Sequence, residues 1–196
     1  MKKQIKQDQQ TWESLSAPQV LLKTCVGSVL SERFRCLRTN AEGDFISFQF
    51  PDWVVVLAET PDHKLLIVRQ YRHGAHAFQW EIPGGCIDAT DPDPLAAGLR
   101  ELKEETGYEG EDAVILGSVC PNPALQSNRC YTVYVRNVRK TGEPQLEATE
   151  SLECSAMTLD EILGLIRDGS FDHGIMMDSI LYYMLEKEKN RNEKCV

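Results

Sequence analysis

The feature that most constrains the fold is one helix-forming segment, Asp93 to Gly107, set between β-rich runs and bounded by capping residues at both ends. Asp93 suits an N-cap, because its carboxylate can accept free backbone N–H groups of a first turn, and Pro94 suits the first helical position. Gly107 suits the left-handed residue that closes a helix. Ahead of the segment, Trp53–Leu57 (WVVVL) and Leu65–Gln70 (LLIVRQ) are rich in β-branched residues, and Thr60-Pro-Asp-His63 between them predicts a hairpin. Phe78–Ile82 reads as a short strand that stops at Pro83-Gly-Gly85. Behind the segment, Val114–Cys120 and Arg129–Val138 are further strands. Thr158-Leu-Asp-Glu161 is a capping box opening a helix that runs to about Asp168, and a last helix spans about Ile175 to Lys189. Strands on both sides of a central helix, followed by two more helices, predict a mixed α/β sandwich.

The N-terminal part reads differently. The first fifteen or so residues are polar and are expected to be loose. From Val20 to Phe50 the chain alternates in short strand-like pieces, with Asn40-Ala-Glu-Gly43 as the turn between two of them. The expected division is an N-terminal strand region over 1–50 and a larger domain over 51–190. No apolar run approaches the roughly 18–20 residues of a membrane span, and MKKQIKQDQQTWES lacks the apolar stretch of a secretory signal. A cytoplasmic protein without a membrane partner is therefore expected. The net charge of −9 argues against binding DNA or RNA, whose phosphates it repels. Seven cysteines, odd in number and without a C-x-x-C pair, argue against a disulfide framework or a zinc site. Most are expected to be small core residues.

Chemistry concentrates in the central segment. Leu95, Leu99 and Leu102 recur at i, i+4 and i+7 and predict a core-facing stripe. Glu101 and Glu105 lie one turn apart on another face, flanked by Glu104. Like charges at that spacing destabilise a helix by roughly 0.2–0.5 kcal/mol unless something neutralises them. A hard divalent cation such as magnesium removes the penalty, and it is commonly completed by substrate phosphates. Just upstream, Pro83-Gly84-Gly85 permits a tight backbone turn that leaves a carbonyl free to face a metal.

Gly85-Cys-Ile-Asp-Ala-Thr-Asp91 followed by Arg100-Glu-Leu-Lys-Glu-Glu-Thr-Gly107-Tyr108 resembles the Nudix box, G-x5-E-x7-R-E-U-x-E-E-x-G-U. The second half matches fully. In the first half, Asp91 or Asp93 stands for the usual glutamate, with one extra residue before Arg100. The resemblance implies a Nudix-type α/β/α sandwich with a mixed sheet and an additional N-terminal antiparallel region. It implies Glu101 and Glu105 as principal Mg2+ (or Mn2+) ligands, Glu104 as an auxiliary, and the Gly84 carbonyl as a backbone ligand. Gly85, Asp91, Arg100 and Gly107 would be structural parts of the motif.

Val68-Arg-Gln-Tyr-Arg72 and Trp80-Glu-Ile-Pro-Gly-Gly85 further resemble the ADP-ribose pyrophosphatase branch, as does Pro123, fifteen residues after Tyr108. That resemblance implies hydrolysis of ADP-ribose to AMP and ribose 5-phosphate. Arg72 is either a phosphate-gripping or a surface arginine. Glu81 is a further metal or substrate ligand, or a strand-end residue. Pro123 is a substrate-side residue or an ordinary turn. Glu150 is the expected general base, with Glu147 beside it as the other acid of the loop. His73 and His76 read as a polar loop. Trp53, Trp80 and Tyr71 read as core or interface residues, with stacking on adenine as the alternative. The branch also implies a homodimer, with Val20–Phe50 as the dimerisation arm. Two other readings remain: a pyrophosphatase for UDP- or GDP-sugars, and a domain that senses ADP-ribose without cleaving it.

Overall fold

The computed structural model describes residues 11–146 and 148–193. They form two units, one reaching to Phe50 and including Asn122–Asn128, the other comprising Pro51–Pro121 and the chain from Arg129 onward.

In the first unit β1 (Trp12–Ser14), β2 (Gln19–Lys23), β3 (Ser28–Cys36) and β4 (Glu42–Gln49) make one antiparallel sheet. The long β3 is its centre. It pairs with β4 along one edge, and β1 and β2 share the other, β1 opposite Phe34–Cys36 and β2 opposite Ser28–Ser31. Trp12 and Phe34 both meet Phe45 edge to face, with ring centroids 5.3 and 5.7 Å apart. These contacts account for a departure from expectation: Trp12–Ser14 is a paired strand, not loose chain, although residues 1–10 lie outside the described residues. The reversal between β3 and β4 also falls earlier than Asn40–Gly43. Asn40 takes the left-handed conformation (φ 55°), and β4 already begins at Glu42.

The second unit contains β5 (Trp53–Ala58), β6 (Leu65–Arg72), β7 (Ala77–Glu81), β8 (Gly84–Cys86), α1 (Pro94–Thr106), β9 (Tyr108–Glu109), β10 (Asp112–Val119), β11 (Cys130–Arg136), β12 (Arg139–Lys140), β13 (Leu152–Met157), α2 (Leu159–Asp168) and α3 (Gly174–Glu193). Val54 to Ala58 and Leu65 to Val68 are all buried, so neither run has a solvent face. Each is an inner strand of its own sheet. One sheet runs β10-β11-β5-β8, with β5 and β11 parallel, and the other runs β13-β6-β7. The expected hairpin is therefore corrected. Thr60–Lys64 does reverse the chain tightly, but apart from a bridge at Glu59–Leu65 the strands it joins enter different sheets. Runs that are apolar at every position favour burial on both faces over a half-exposed hairpin.

Two cores result. Val54, Val56, Ala58 and Val133 pack with Ala97 and Leu102 of α1. Val55, Leu57, Leu65 and Ile67 pack with Ile162 of α2 and Met176, Ile180 and Tyr183 of α3. This is a mixed α/β arrangement with helices on both faces. The caps fall where the sequence put them. Asp93 accepts from Ala96 N, Gly107 is left-handed (φ 72°), and Thr158 and Glu161 complete the capping box. The α1 stripe differs from the leucine pattern. Its buried residues are Ala97, Gly98, Leu102, Glu105 and Thr106, whereas Leu95 and Leu99 are only partly buried. Gly98 explains the shift, because a Cβ there would already lie 3.1–3.2 Å from Val133, Val54 and Val56, so the helix rests on its smallest face. The cysteine expectation is corrected too: Cys36 and Cys130 are buried, but Cys25, Cys86, Cys120 and Cys154 are exposed.

Candidate active site

The turn Pro83-Gly84-Gly85 is built by close backbone packing. A Cβ on Gly84 would lie 2.1 Å from the Val54 carbonyl oxygen, so a side chain there has no room. Pro83 O accepts from Val56 N at 2.8 Å, which pins the turn to β5. A Cβ on Gly85 would lie 2.6 Å from Glu101 Oε1. The two glycines thus let the backbone pass directly beside the carboxylates of α1.

Glu105 is only 5% exposed and accepts the Gly84 N–H at 2.9 Å. Burial pushes its carboxyl up to about 8. The Gly84 N–H opposes that shift, and the charges of Glu101 and Glu150 add to it. Glu101 is raised in the same way by burial; Arg100 opposes the shift, and Glu104 and Glu150 reinforce it. Glu150, exposed on the loop before β13, shares this electrostatic neighbourhood, while Glu147 lies outside the described residues. Glu104 is more open, its side chain 44% exposed.

Arg100 ties the loop to the helix. It donates to Asp91 through Nε (3.2 Å) and Nη2 (2.9 Å), to the Cys86 carbonyl (3.1 Å), to Glu101 (3.0 Å) and to Glu104 (2.9 Å). Of the two aspartates considered for the box, Asp91 meets the arginine, and Asp93 caps the helix. Beyond this cluster, Glu81 is fully buried and accepts from Arg72 Nε (2.8 Å), Arg72 Nη2, Gln70 (3.2 Å) and His173 Nδ1 (3.0 Å). Burial alone would raise its pKa, but hydrogen bonds from Arg72 and His173 hold it below the ordinary carboxylate value. Arg72 is raised chiefly by Glu81, with Glu105 and Glu150 adding to the effect.

The candidate residues Arg72, Glu81, Gly84, Gly85, Asp91, Arg100, Glu101, Glu104, Glu105, Gly107 and Glu150 all belong to the second unit. Pro123 lies in the Asn122–Asn128 segment of the first. His73 and His76 are exposed in the turn between β6 and β7. Trp53 and Trp80 pack against the α2/α3 core, and Tyr71 stacks edge to face on exposed Phe78. The sequence reading did not single out His173. It stands 92 positions from Glu81, and no spacing or motif connects them.

Among the described residues, no three His, Cys, Asp or Glu side chains converge as a ready-made metal cage. The donors nevertheless fit a hard divalent cation. They are carboxylate oxygens with raised proton affinity beside a cradle that a single Cβ at Gly85 would fill. Magnesium usually takes one or two carboxylates and completes its shell with water and phosphate.

Comparison with known proteins places the chain in a family. The NUDIX domain family matches residues 49–179. The chain belongs to the Nudix family and is a hydrolase of its ADP-ribose pyrophosphatase-like branch. It is 30% identical over 138 residues to the methanol dehydrogenase activator of Bacillus methanolicus, covering 70% of this chain and 74% of that protein. It is 30% identical over 149 residues to the ADP-sugar pyrophosphatase of Mus musculus (72% and 67% covered). It is 28% identical over 117 residues to the ADP-ribose pyrophosphatase of Bacillus subtilis; that match covers 59% of this chain and 63% of the relative, less than two thirds of its length. A solved ADP compounds hydrolase shares the fold, with a TM-score of 0.81 over 92% of this chain and 96% of the other, at 18% identity.

Proposed function

We propose that this chain is a magnesium-dependent pyrophosphohydrolase that splits ADP-ribose into AMP and ribose 5-phosphate. The observation that carries the reading is Glu105, buried and raised to about 8 beside Gly84, with Glu101 and Glu150 in the same field. Support for an adenosine diphosphate substrate comes from the relatives named for ADP-ribose and ADP-sugars. Manganese is the alternative ion.

Glu101 and Glu105 would hold the cation, assisted by Glu104 and the Gly84 carbonyl. Such a cation would supply neutralisation of phosphate charge and a lower pKa for the attacking water. The chain's own residues do the rest. Glu150 takes the proton from the attacking water. The water oxygen joins one phosphorus while the bond from that phosphorus to the bridging oxygen breaks. Arg72 grips a phosphate with the part of its guanidinium that Glu81 does not engage. Arg100 keeps the Cys86–Asp91 loop and the α1 carboxylates in one arrangement.

We also propose a cytoplasmic homodimer that uses the strands up to Phe50, where Val20, Leu21, Leu22, Phe45 and Ile46 are exposed apolar residues. Light scattering on the purified chain tests this; a monomer overturns it. No helix of the described residues is long and apolar enough to cross a membrane.

The deciding experiment follows product release by chromatography from ADP-ribose, ADP-glucose, UDP-glucose and GDP-mannose with magnesium, for the wild type and Glu105→Gln. The expected result is AMP from ADP-ribose, lost in the variant. Turnover confined to UDP- or GDP-sugars replaces the substrate. ADP-ribose binding without cleavage replaces catalysis with sensing. Neither binding nor turnover of any of the four overturns the reading.

A further inference from the structure

We propose that His173 is a positioning residue that sets the Arg72 guanidinium through the buried carboxylate of Glu81. The proposal rests on the phosphate-gripping role given above to Arg72.

Glu81 has no exposed surface. A charge there is tolerated only if its oxygens are fully engaged by donors. Oε1 accepts from Arg72 Nε at 2.8 Å and His173 Nδ1 at 3.0 Å; Oε2 accepts from Arg72 Nη2 and Gln70 Nε2, the latter at 3.2 Å. Four donors therefore meet at one carboxylate, and they fix its plane. Because an ionised carboxylate only accepts, Nδ1 of His173 is assigned as the donor in this contact. Arg72 uses Nε and Nη2 on this carboxylate, which leaves Nη1 outside the pair. The guanidinium is planar, so once Glu81 is oriented the direction of Nη1 is fixed as well.

His173 is in turn held by α3. Its carbonyl accepts N–H groups from the first turn of that helix, Met176 (3.0 Å) and Met177 (3.1 Å). One turn on, the Met176 sulfur accepts the Ile82 N–H at 3.4 Å. The start of α3 thus contacts two consecutive residues, Glu81 and Ile82, directly ahead of Pro83-Gly84-Gly85. Gln70 comes from the same strand as Arg72, so among the described donors to Glu81 His173 alone comes from outside the β6–β7 pair.

The test is a double-mutant cycle with paired readouts. His173→Leu removes the donor, and His173→Asn replaces it with an amide N–H near the position of Nδ1. The expected result is a KM raised about tenfold in His173→Leu with kcat little changed, and largely restored in His173→Asn. In an Arg72→Ala background, His173→Leu should add little. Independently of turnover, the 15N-edited Arg72 Nε–H resonance should be protected from exchange in the wild type and His173→Asn and lose that protection in His173→Leu. An unchanged Arg72 signal in a folded His173→Leu protein, or an undiminished effect of His173→Leu without Arg72, overturns the positioning role. If no ADP-compound is turned over by the wild type while the Arg72 signal behaves as expected, the substrate reading fails and the positioning of Arg72 by His173 stands.

Discussion

Asp91 and Arg100 form a two-point pair across the loop that leads into α1, Nε to Oδ1 at 3.2 Å and Nη2 to Oδ2 at 2.9 Å. The Asp91 side chain is only 8% exposed, and Arg100 holds its carboxyl below the ordinary range. The same arginine reaches Glu101 and Glu104 through Nη1. Asp91→Asn keeps the shape but weakens the charge-assisted bonds, and should cost about 1–3 kcal/mol in urea unfolding. Because Arg100 then leans further on the two glutamates, kcat/KM should fall about tenfold or more. A variant that unfolds earlier yet keeps full kcat/KM would show that this pair supports the fold alone.

The raised Glu105 carboxyl makes metal-free stability depend on pH. Its folded value of about 8 lies above the ordinary 4.5, so the folded state binds the extra proton between those limits. The stability it contributes is complete below about 4.5 and is lost as pH rises through about 8. Melting temperature in a chelator should therefore fall from pH 5 to pH 8.5, and Glu105→Gln should flatten that slope. Magnesium at pH 8.5 should raise the melting temperature of the wild type and leave the variant unmoved. A slope identical in both proteins would sink the assignment of this carboxyl.

Gly84 and Gly85 are neighbours with different constraints. A methyl at Gly84 would lie 2.1 Å from a backbone oxygen that cannot move aside, so Gly84→Ala should give insoluble or grossly destabilised protein. At Gly85 the methyl would meet the end of the Glu101 side chain at 2.6 Å, which can swing away. Gly85→Ala should therefore fold with a melting temperature within a few degrees of the wild type while kcat falls by about 10²-fold, because a displaced ligand is a misplaced reacting geometry. Equal solubility and activity for the two variants would contradict the packing described.

How much of this was legible in the sequence follows from how local each signal is. Asp93, Pro94, Gly107 and the Thr158–Glu161 box act within one helical turn, and each cap lies where the sequence placed it. Arg100, Glu101, Glu104 and Glu105 were legible as a group because helical periodicity fixes their relative directions. Sheet membership was not, since a tight turn at Thr60–Lys64 serves a hairpin and a crossing between two sheets equally well, and the choice lies in what covers the second face of β5 and β6. The burial of Glu105 was missed because Gly98 and Ala97, not Leu95 or Leu99, turn toward the sheet. The Glu81–His173 contact joins residues 92 apart through the fold alone, so no spacing rule could announce it.

A third buried carboxylate offers a control at a different place in the fold. Glu59, at the end of β5, is 3% exposed and accepts from both approaches of Lys187 Nζ (2.7 Å each), from His63 Nδ1 (2.7 Å) and from Tyr134. Burial raises its pKa, but these donors more than offset that and hold it below 4.5. Lys187→Met removes the cation while keeping an apolar stem over Tyr134 and Tyr183, the rings on which Lys187 sits. The variant leaves a buried charge short of a partner and should lose about 2 kcal/mol at pH 7. Since Glu59 has a depressed pKa, its stabilising effect is present above 4.5 and lost as pH falls through its folded value, so wild type and variant should converge in acid. None of the Glu59 partners belongs to the carboxylate cluster of α1, so kcat/KM at pH 7 should be unchanged while the protein remains folded. Urea unfolding at pH 7 and pH 4 beside steady-state kinetics checks all three points. A gap that widens in acid would mean that Lys187 acts on α3 through something other than the charge of Glu59.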